Sequence, residues 1–279
     1  SVGKDISMSG YLQMGLHKMS DQLSVPDHIT QEGQTYKDSF DHGTERWTLA
    51  GILQNSSNVG MIMAGENYPD EQRYEYLTKF GIGQPTGLNL PGESSGLLTN
   101  PSAWDLRTRN TILFGQGYTV NALQLNNVVA TIANKGVKQQ QSIIKSTTDA
   151  NGKTTESKKG EATRVVDEKV ASDMMNAMES VAEGYNKFVK VDGYRMAAKS
   201  GTAEVQGSDG TLSSIISDYS VVIPADNPRY AVTVVMKDPN GVFGGLTAGP
   251  VSAQICEFLM QKYEVPVSGP RKNAIPVTW

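Results

Sequence analysis

The sequence predicts an α+β domain in which an antiparallel sheet is flanked by helices. Before about residue 190 the apolar residues recur mostly at helical spacing, and the clearest amphipathic helix is predicted over Asp167 to Glu183. After Gly193 the pattern changes to alternating and continuous apolar runs, which are typical of strands. A last helical pattern runs from Val251 to about Tyr263.

The first part of the chain is predicted to be helical with polar interruptions. Residues 1–18 carry apolar side chains at mixed helical spacing, and the helix is expected to end near Gly15. Residues 26–45 are polar and are interpreted as a surface excursion. A short helix is predicted over Trp47 to Gln54 and another over Val59 to Ala64, with a loop between them.

The middle of the chain is divided by glycine and proline. Pro69 and Asp70 open a predicted helix that runs to about Phe80, and the glycine-rich stretch 81–100 is predicted to be loop. Pro101 is expected to start another helix. Thr119 is the predicted cap of a helix that runs to about Asn134, and Asn151-Gly152 is a predicted hairpin turn.

The predicted sheet lies in the last third. Tyr194, Met196 and Ala198 alternate into Lys199, and two apolar runs follow, Tyr219 to Ile223 and Tyr230 to Met236. The Pro-rich turn between these runs predicts antiparallel pairing. We therefore expect one domain over residues 1–263 and a loose tail over residues 264–279, which hold three prolines.

Composition limits the classes of function. The chain has 279 residues and a net charge of −4 without a basic stripe, so nucleic acid is not an expected partner. The lone Cys256 cannot form an internal disulfide and lies in an apolar helical pattern, which favours a buried thiol. No apolar run reaches transmembrane length.

Three short motifs stand in an order that supplies the groups for acyl transfer without histidine. They are Ser1-Val2-Gly3-Lys4, Ser56-Ser57-Asn58 and Lys199-Ser200-Gly201-Thr202. Ser1 is the predicted nucleophile, and Lys4 lies one helical turn further on, within reach of its hydroxyl. Ser56 is predicted to relay a proton, Asn58 to hold a substrate amide and Lys199 to attract a carboxylate.

The lysine needs a particular environment to act as a base. Its pKa must fall from about 10.4 to roughly 7, which burial and a second cation both favour. We therefore expect Lys4 to be buried and Lys199, the second cation, to face the substrate. The helix dipole at Ser1 would favour developing negative charge.

Other motifs in the chain offer weaker chemistry. Ser142-Ile143-Ile144-Lys145 is a second S-x-x-K, but it lies in a β-branched run predicted to be strand and is out of order. Gly92-Glu93-Ser94-Ser95-Gly96 matches a nucleophile elbow, yet Pro91 precedes it where a strand is needed. The spacing of the three histidines, His17, His28 and His42, does not fit a zinc site.

At these motifs the chain resembles the transpeptidase domain of a class B penicillin-binding protein, and most closely the division-type members. The resemblance runs from Ser1 to about Tyr263. Outside the three motifs it is carried by these stretches: Leu49 to Gln54, Phe114-Gly115-Gln116-Gly117 with Leu123-Gln124-Leu125, Met175 to Val181, Gly193-Tyr194-Arg195, Lys237-Asp238-Pro239 and Gly244-Gly245.

The resemblance implies a serine D,D-transpeptidase that crosslinks peptidoglycan stem peptides. Ser1 would attack the D-Ala-D-Ala carbonyl, and β-lactams would acylate Ser1 as mimics of that dipeptide. Ser200, Gly201 and Thr202 would bind substrate, with the terminal carboxylate on Lys199 and Thr202. The oxyanion hole would be the backbone N–H groups of Ser1 and Thr202. No metal or organic cofactor is implied.

The resemblance also implies partners and a location. Division or wall-synthesis proteins are expected partners. The domain is expected on the extracytoplasmic face of the bacterial cytoplasmic membrane, anchored by an N-terminal segment that this sequence lacks. In this family, strands of the central sheet precede the S-x-x-K motif. The sheet is therefore expected to lack those N-terminal strands, and another segment or chain is expected to complete it.

Departures and alternatives remain open. Ser200 stands where threonine is commoner, and Asn121-Ala122 stand where Thr-Pro is frequent. A class A β-lactamase would carry Glu-x-x-x-Asn soon after S-x-N, but Leu97 lies four residues after Glu93. A D,D-carboxypeptidase is barely separable by sequence. A non-catalytic β-lactam sensor or wall-binding scaffold would retain the same fold.

Overall fold

The computed structural model describes residues 1–206 and 211–279. Its first part is a mixture of short strands and helices. These elements are α1 (Gly3–Gln13), β1 (Gln22–Val25), β2 (His28–Gln31), β3 (Gln34–Lys37), β4 (Glu45–Thr48), α2 (Leu49–Gln54), α3 (Asn58–Ala64) and α4 (Asp70–Lys79).

The middle and last parts contain the longer helices and the main sheet. They comprise a 3₁₀ turn (Pro101–Ala103), α5 (Leu106–Ile112), α6 (Ala122–Ala133), β5 (Val137–Gln139), β6 (Ser146–Thr148), β7 (Thr154–Glu156), β8 (Ala162–Arg164), α7 (Glu168–Gly184), β9 (Ala197–Gln206), β10 (Leu212–Ile223), β11 (Tyr230–Lys237) and α8 (Gly244–Lys262).

The main sheet is antiparallel, as the sequence predicts, and its strand order is β11-β10-β9. In its register Val221 of β10 lies between Ala198 of β9 and Val232 of β11. Val221 belongs to the apolar cluster that includes Cys256 of α8. Val222, one residue on, belongs to the larger cluster on the other face, with residues of α6 and α7. The alternation of side chains along β10 therefore builds two cores, with helices on both faces.

Local chemistry places several helix ends differently from the predictions. Trp47 lies in β4, and α2 starts at Leu49 because Thr48 caps it by accepting the Gly51 N–H. The cap of α6 is Asn121, not Thr119, and it forms a reciprocal capping box with Gln124. Pro101 starts only a 3₁₀ turn, and the α-helix begins at Leu106.

Three further predictions differ from the structure, and one is confirmed. The polar stretch 26–45 contains the β2–β3 hairpin. Residues 142–145 are irregular and exposed, so the predicted strand there is wrong. The last helix begins at Gly244 and accommodates Pro250. The turn predicted at Asn151-Gly152 is confirmed between β6 and β7.

The segment after α8 is irregular but packed, so the expectation of a loose tail is wrong. Arg271 reaches α7, where it donates to Glu183 and to the Asn176 carbonyl. Further on, the Val277 carbonyl accepts the Thr48 N–H and the Pro276 carbonyl accepts the Thr48 hydroxyl. The tail therefore supports the start of α2, the helix that leads to the S-x-N motif.

Among the described residues, no helix combines the length and apolar character needed to cross a bilayer.

Candidate active site

The first motif places its hydroxyl and its amine on one side of α1. Three residues after Ser1, the Lys4 side chain turns back so that its Nζ lies 2.9 Å from Ser1 Oγ. Lys4 is fully buried, as predicted. Close packing of the Gly115 loop against Gly3 brings the Phe114 carbonyl within 3.4 Å of the same amine.

The hydrogen-bond partners of Lys4 determine where its lone pair points. Its Nζ lies 2.8 Å from the amide oxygen of Asn58, and the backbone carbonyl of Phe114 is a second acceptor. A neutral amine has two N–H bonds and one lone pair. With both N–H bonds donated to these two oxygens, the lone pair is left to accept the Ser1 hydroxyl proton.

The electrostatics favour this neutral form. Burial lowers the pKa of Lys4 well below its ordinary value, and the nearby Lys199 ammonium lowers it further. Asp38 and Asp5 oppose the shift but do not reverse it. This lowering of the Lys4 pKa is in the direction that a general base needs.

The second motif lies across the cleft from the first. Ser56 has φ +53°, in the left-handed region that non-glycine residues seldom occupy. This conformation turns its hydroxyl toward Lys199, whose Nζ lies 2.9 Å from Ser56 Oγ. Asn58 was predicted on the loop, but it is the first residue of α3, and its side chain reaches back to Lys4.

Lys199 is not presented to the cleft, and that expectation is wrong. Its side chain is fully buried, and its Nζ donates to the Ser200 carbonyl as well as to Ser56. Burial lowers the pKa of Lys199 to about 8, while Asp5 and Asp218 oppose the change. Lys199 therefore acts on the cleft through the Ser56 hydroxyl.

Two buried carboxyl groups lie near these lysines. Burial raises the pKa of Asp5 to about 7, and it also raises the pKa of Asp218. Both Asp5 oxygens and Asp218 Oδ1 are buried, and among the residues that the structure describes they have no hydrogen-bond partner. They moderate the positive charge of Lys199, and no sequence motif identified them.

The motifs open onto one cleft of about 820 Å³. Of the predicted site residues, those lining this cleft are Ser1, Ser56, Asn58, Ser200, Gly201 and Thr202. Thr202 Oγ1 accepts the Gly244 N–H, and Ser200 Oγ lies 3.0 Å from the Tyr185 hydroxyl. The assignment of the Ser1 and Thr202 N–H groups as an oxyanion hole stays a prediction.

Large apolar side chains in the cleft lining were not recognised in the sequence. They remain substantially exposed: Phe40, Phe188, Val242, Phe243 and Leu246. They come from three separate parts of the chain, so no single local pattern marks them. Such side chains suit apolar parts of a bound substrate.

The weaker motifs do not converge on another site. Ser142 and Lys145 are exposed and away from the cleft lining. Glu93 accepts the Thr86 N–H within its own loop. In the part of the chain that the structure describes, no group of three His, Cys, Asp or Glu residues is placed to hold a metal ion.

A family model and curated relatives match most of this chain. A family model described as the penicillin binding protein transpeptidase domain matches residues 1–257. PbpB of Mycolicibacterium smegmatis is 33% identical over 282 residues, covering 96% of this chain and 44% of that protein. The peptidoglycan D,D-transpeptidase FtsI of Escherichia coli is 37% identical over 213 residues, covering 75% of this chain and 34% of that protein.

Solved structures match over the whole chain. A peptidoglycan synthetase from Bifidobacterium adolescentis is 68% identical with a TM-score of 0.96, and the match covers 100% of this chain and 51% of that one. Penicillin-binding protein 3 of Mycobacterium tuberculosis, complexed with ampicillin, is 32% identical with a TM-score of 0.92, covering 100% and 65%. The chain spans less than half the length of the two curated relatives named above.

Proposed function

The chain belongs to the penicillin-binding protein transpeptidase family, and we propose that it is a serine D,D-transpeptidase that crosslinks peptidoglycan stem peptides. The observation that carries the proposal is the Ser1–Lys4 pair, with 2.9 Å between Oγ and Nζ. The two carbonyl acceptors around Lys4 leave its lone pair to the hydroxyl. The family match confirms the resemblance to class B members identified from the sequence.

In the first step Ser1 Oγ attacks the carbonyl carbon between the two D-alanines. Lys4 Nζ accepts the hydroxyl proton as the new C–O bond forms. The tetrahedral intermediate then collapses, the C–N bond to the terminal D-alanine breaks, and that amine leaves with a proton relayed by Ser56. The product is an ester between Ser1 and the shortened stem peptide.

In the second step the amine of a neighbouring stem peptide attacks this ester. The amine loses a proton to the same base, the C–O bond to Ser1 breaks, and the hydroxyl is restored. A β-lactam would acylate Ser1 by the first step alone, because its opened ring stays attached and hinders the second. The net change is exchange of one amide bond for another.

Lys199 has a different role in this scheme from the one first assigned to it. Because it is fully buried, a substrate carboxylate would be held mainly by the exposed parts of Ser200 and Thr202. The charge of the buried Lys199 would strengthen that binding. The hydrogen bond that Lys199 donates to Ser56 would orient the proton relay.

The proposal includes the partners of the domain, its location and the completion of its sheet. Division or wall-synthesis proteins would be partners, and the domain would act on the extracytoplasmic face of the membrane through an anchor outside this sequence. Within the described residues β11 pairs only with β10. Its other edge would be paired by a strand from a further segment or chain. Slower amide exchange in β11 when that segment is present would support this pairing.

Labelling with a fluorescent penicillin tests the nucleophile. The wild-type protein should become labelled, Ser1→Ala should not, and Lys4→Ala should label far more slowly. The second S-x-x-K supplies matched controls, since Ser142→Ala and Lys145→Ala change the same residue types at exposed positions. Equal labelling of the wild type and Ser1→Ala would refute the assignment.

Product analysis separates the transpeptidase from its alternatives. Incubation with two stem peptides should yield a crosslinked dimer and free D-alanine. Free D-alanine without dimer would indicate a carboxypeptidase, and rapid turnover of penicillin would indicate a β-lactamase. A stable penicillin adduct with neither product would indicate a sensor or scaffold.

A further inference from the structure

A buried carboxylate lies directly behind the S-x-N motif. Asp38 follows β3 in the stretch predicted to be a surface excursion, yet its side chain is only 1% exposed. Its Oδ2 accepts the Ser57 hydroxyl at 2.6 Å, and its Oδ1 accepts the N–H groups of Asn58 at 2.6 Å and Val59 at 3.0 Å. His42 Nε2 lies 3.1 Å from Oδ2.

These bonds hold the first turn of α3 in place. The initial N–H groups of a helix have no intrahelical partner, so an acceptor must be supplied from elsewhere. For the Asn58 N–H this acceptor is Asp38, which lies 20 residues earlier in the chain. Ser57 also accepts the Gly60 N–H, which links Asp38 to the next N–H of the turn. The backbone of Asn58 is therefore fixed by the residue that follows the hairpin.

The same hairpin fixes the orientation of the Asn58 amide. The carbonyl of Lys37, the residue before Asp38, accepts from Asn58 Nδ2 at 3.1 Å. An amide has its donor and acceptor on opposite sides, so this bond turns Oδ1 toward the other side. There Oδ1 meets Lys4 Nζ at 2.8 Å.

Asp38 also contributes charge to the site. Lys4 faces the Lys199 ammonium from β9, the Asp5 carboxyl from its own helix and the Asp38 carboxylate from the loop after β3. Asp38 raises the pKa of Lys4 against the lowering by burial and Lys199. Within its own surroundings Asp38 faces the ring of His42.

We propose that Asp38 is a positioning residue for acyl transfer, which holds the Ser57–Asn58 turn and the Asn58 amide against the Lys4 amine. It acts through Asn58 and does not line the cleft. The inference rests on the function proposed above, because it assigns Asp38 a part in the same reaction. It extends the catalytic apparatus to the β2–β3 hairpin.

The pH profile of penicillin acylation distinguishes this role from a merely structural one. Asp38→Asn retains the size and an acceptor oxygen but removes the charge. Without that charge the Lys4 ammonium is less stable, so the acidic midpoint of the profile should move to lower pH, by roughly one pH unit. Asp38→Ala should in addition reduce the maximal acylation rate at least about tenfold, because the Asn58 amide loses its support.

Asp41→Asn is the matched control, since it makes the same charge change three residues away at an exposed position. It should retain the wild-type midpoint and rate. If Asp38→Asn and Asp38→Ala both keep the wild-type midpoint, the proposal is overturned, whether or not their rates fall.

Asp38→Glu keeps the test decisive if the neutral variants do not fold. It retains the charge but displaces the carboxylate, so the midpoint should stay near that of the wild type while the maximal rate falls. A wild-type rate in Asp38→Glu would overturn the positioning role. No labelling of the wild-type protein would refute the proposed function as well.

Discussion

Lys199 Nζ lies 2.9 Å from Ser56 Oγ, although 143 residues separate them in the chain. The Lys4–Ser1 pair shows the same 2.9 Å separation. The cleft is thus lined by two hydroxyls, Ser1 and Ser56, each paired with a buried amine behind it, and the three motifs supply all four groups. Their surroundings differ, because two carbonyl oxygens accept from Lys4, whereas Lys199 donates to one carbonyl, that of Ser200, and to Ser56. The Lys199 charge also lowers the pKa of Lys4, while Asp5 and Asp218 oppose the lowering of the Lys199 pKa. This difference supports Lys4 as the base and Lys199 as the cation.

The first prediction concerns the pH dependence of penicillin acylation. The rate should rise as Lys4 loses its proton, at a pH well below the ordinary lysine pKa. It should fall again near pH 8, where Lys199 loses its charge. Second-order acylation rate constants measured from pH 5 to about pH 10 would test the bell shape.

Removing the second cation should change this profile in a defined direction. Lys199→Met abolishes the ammonium that lowers the pKa of Lys4, so the rising limb should move to higher pH and the falling limb should disappear. Lys145→Met, at an exposed lysine, should leave both limbs in place. A rising limb that does not move in Lys199→Met would contradict the coupling of the two lysines.

The second prediction concerns stability and Asp5. Its pKa is raised from 3.8 to about 7, so the folded state holds a proton that the unfolded state releases. Stability is therefore lost as pH rises through that interval. Asp5→Asn should remove this loss. The change that it makes in the free energy of unfolding should therefore be more favourable at pH 8 than at pH 4, by ~4 kcal/mol.

Thermal unfolding of the wild type and Asp5→Asn at both pH values measures the effect. The gain at pH 8 corresponds to roughly 8–16 °C in melting temperature for a domain of this size. Asp41→Asn removes an exposed carboxylate and should show a much smaller pH-dependent difference. A gain equal at the two pH values would mean that Asp5 is not protonated on folding.

The third prediction concerns the close contact between Gly3 and the Gly115 loop. A Cβ on Gly3 would overlap the Tyr118 hydroxyl and the Gly115 backbone. Gly3→Ala should therefore displace the loop that carries the Phe114 carbonyl, lowering the acylation rate and destabilising the fold by about 1–3 kcal/mol. Gly269→Ala, where a Cβ meets open space, serves as the comparison. Chemical denaturation would measure the stability of both variants, and penicillin labelling would measure their acylation rates. Wild-type values of both quantities in Gly3→Ala would contradict the prediction.

The fourth prediction concerns the packed C-terminal segment. Arg271 donates to Glu183, Asn176 and Ser180 and lies 3.4 Å from the buried Glu179 carboxylate. Arg271→Ala should cost about 2–4 kcal/mol of stability, because it leaves the Glu179 charge with fewer partners. Lys272→Ala, at an exposed neighbour, should be nearly neutral. Urea unfolding midpoints would decide, and similar values for both variants would exclude a stabilising role of the tail contacts.

The antiparallel sheet in the last third of the chain, most of the longer helices, the three motifs and the burial of Lys4 were predictable from the sequence, whereas the short strands β1–β8 were not. The predictable features depend on local periodicity and on residue types whose chemistry has few alternatives, such as an S-x-x-K turn of helix. The family resemblance rested on the same local features, and the family match confirms it.

Only the tertiary structure decided where Lys199 points, how the Asn58 amide is oriented and that Asp38 supports it. Each of these depends on groups from separate elements meeting in a dry interior, where hydrogen bonds and desolvation outweigh local preference. The polarity of residues 26–45 suggested exposure, but Asp38 is buried because the N-terminus of α3 needs an acceptor. A sequence gives the residue types available for such a contact, and the packing of the chain selects which of them meet.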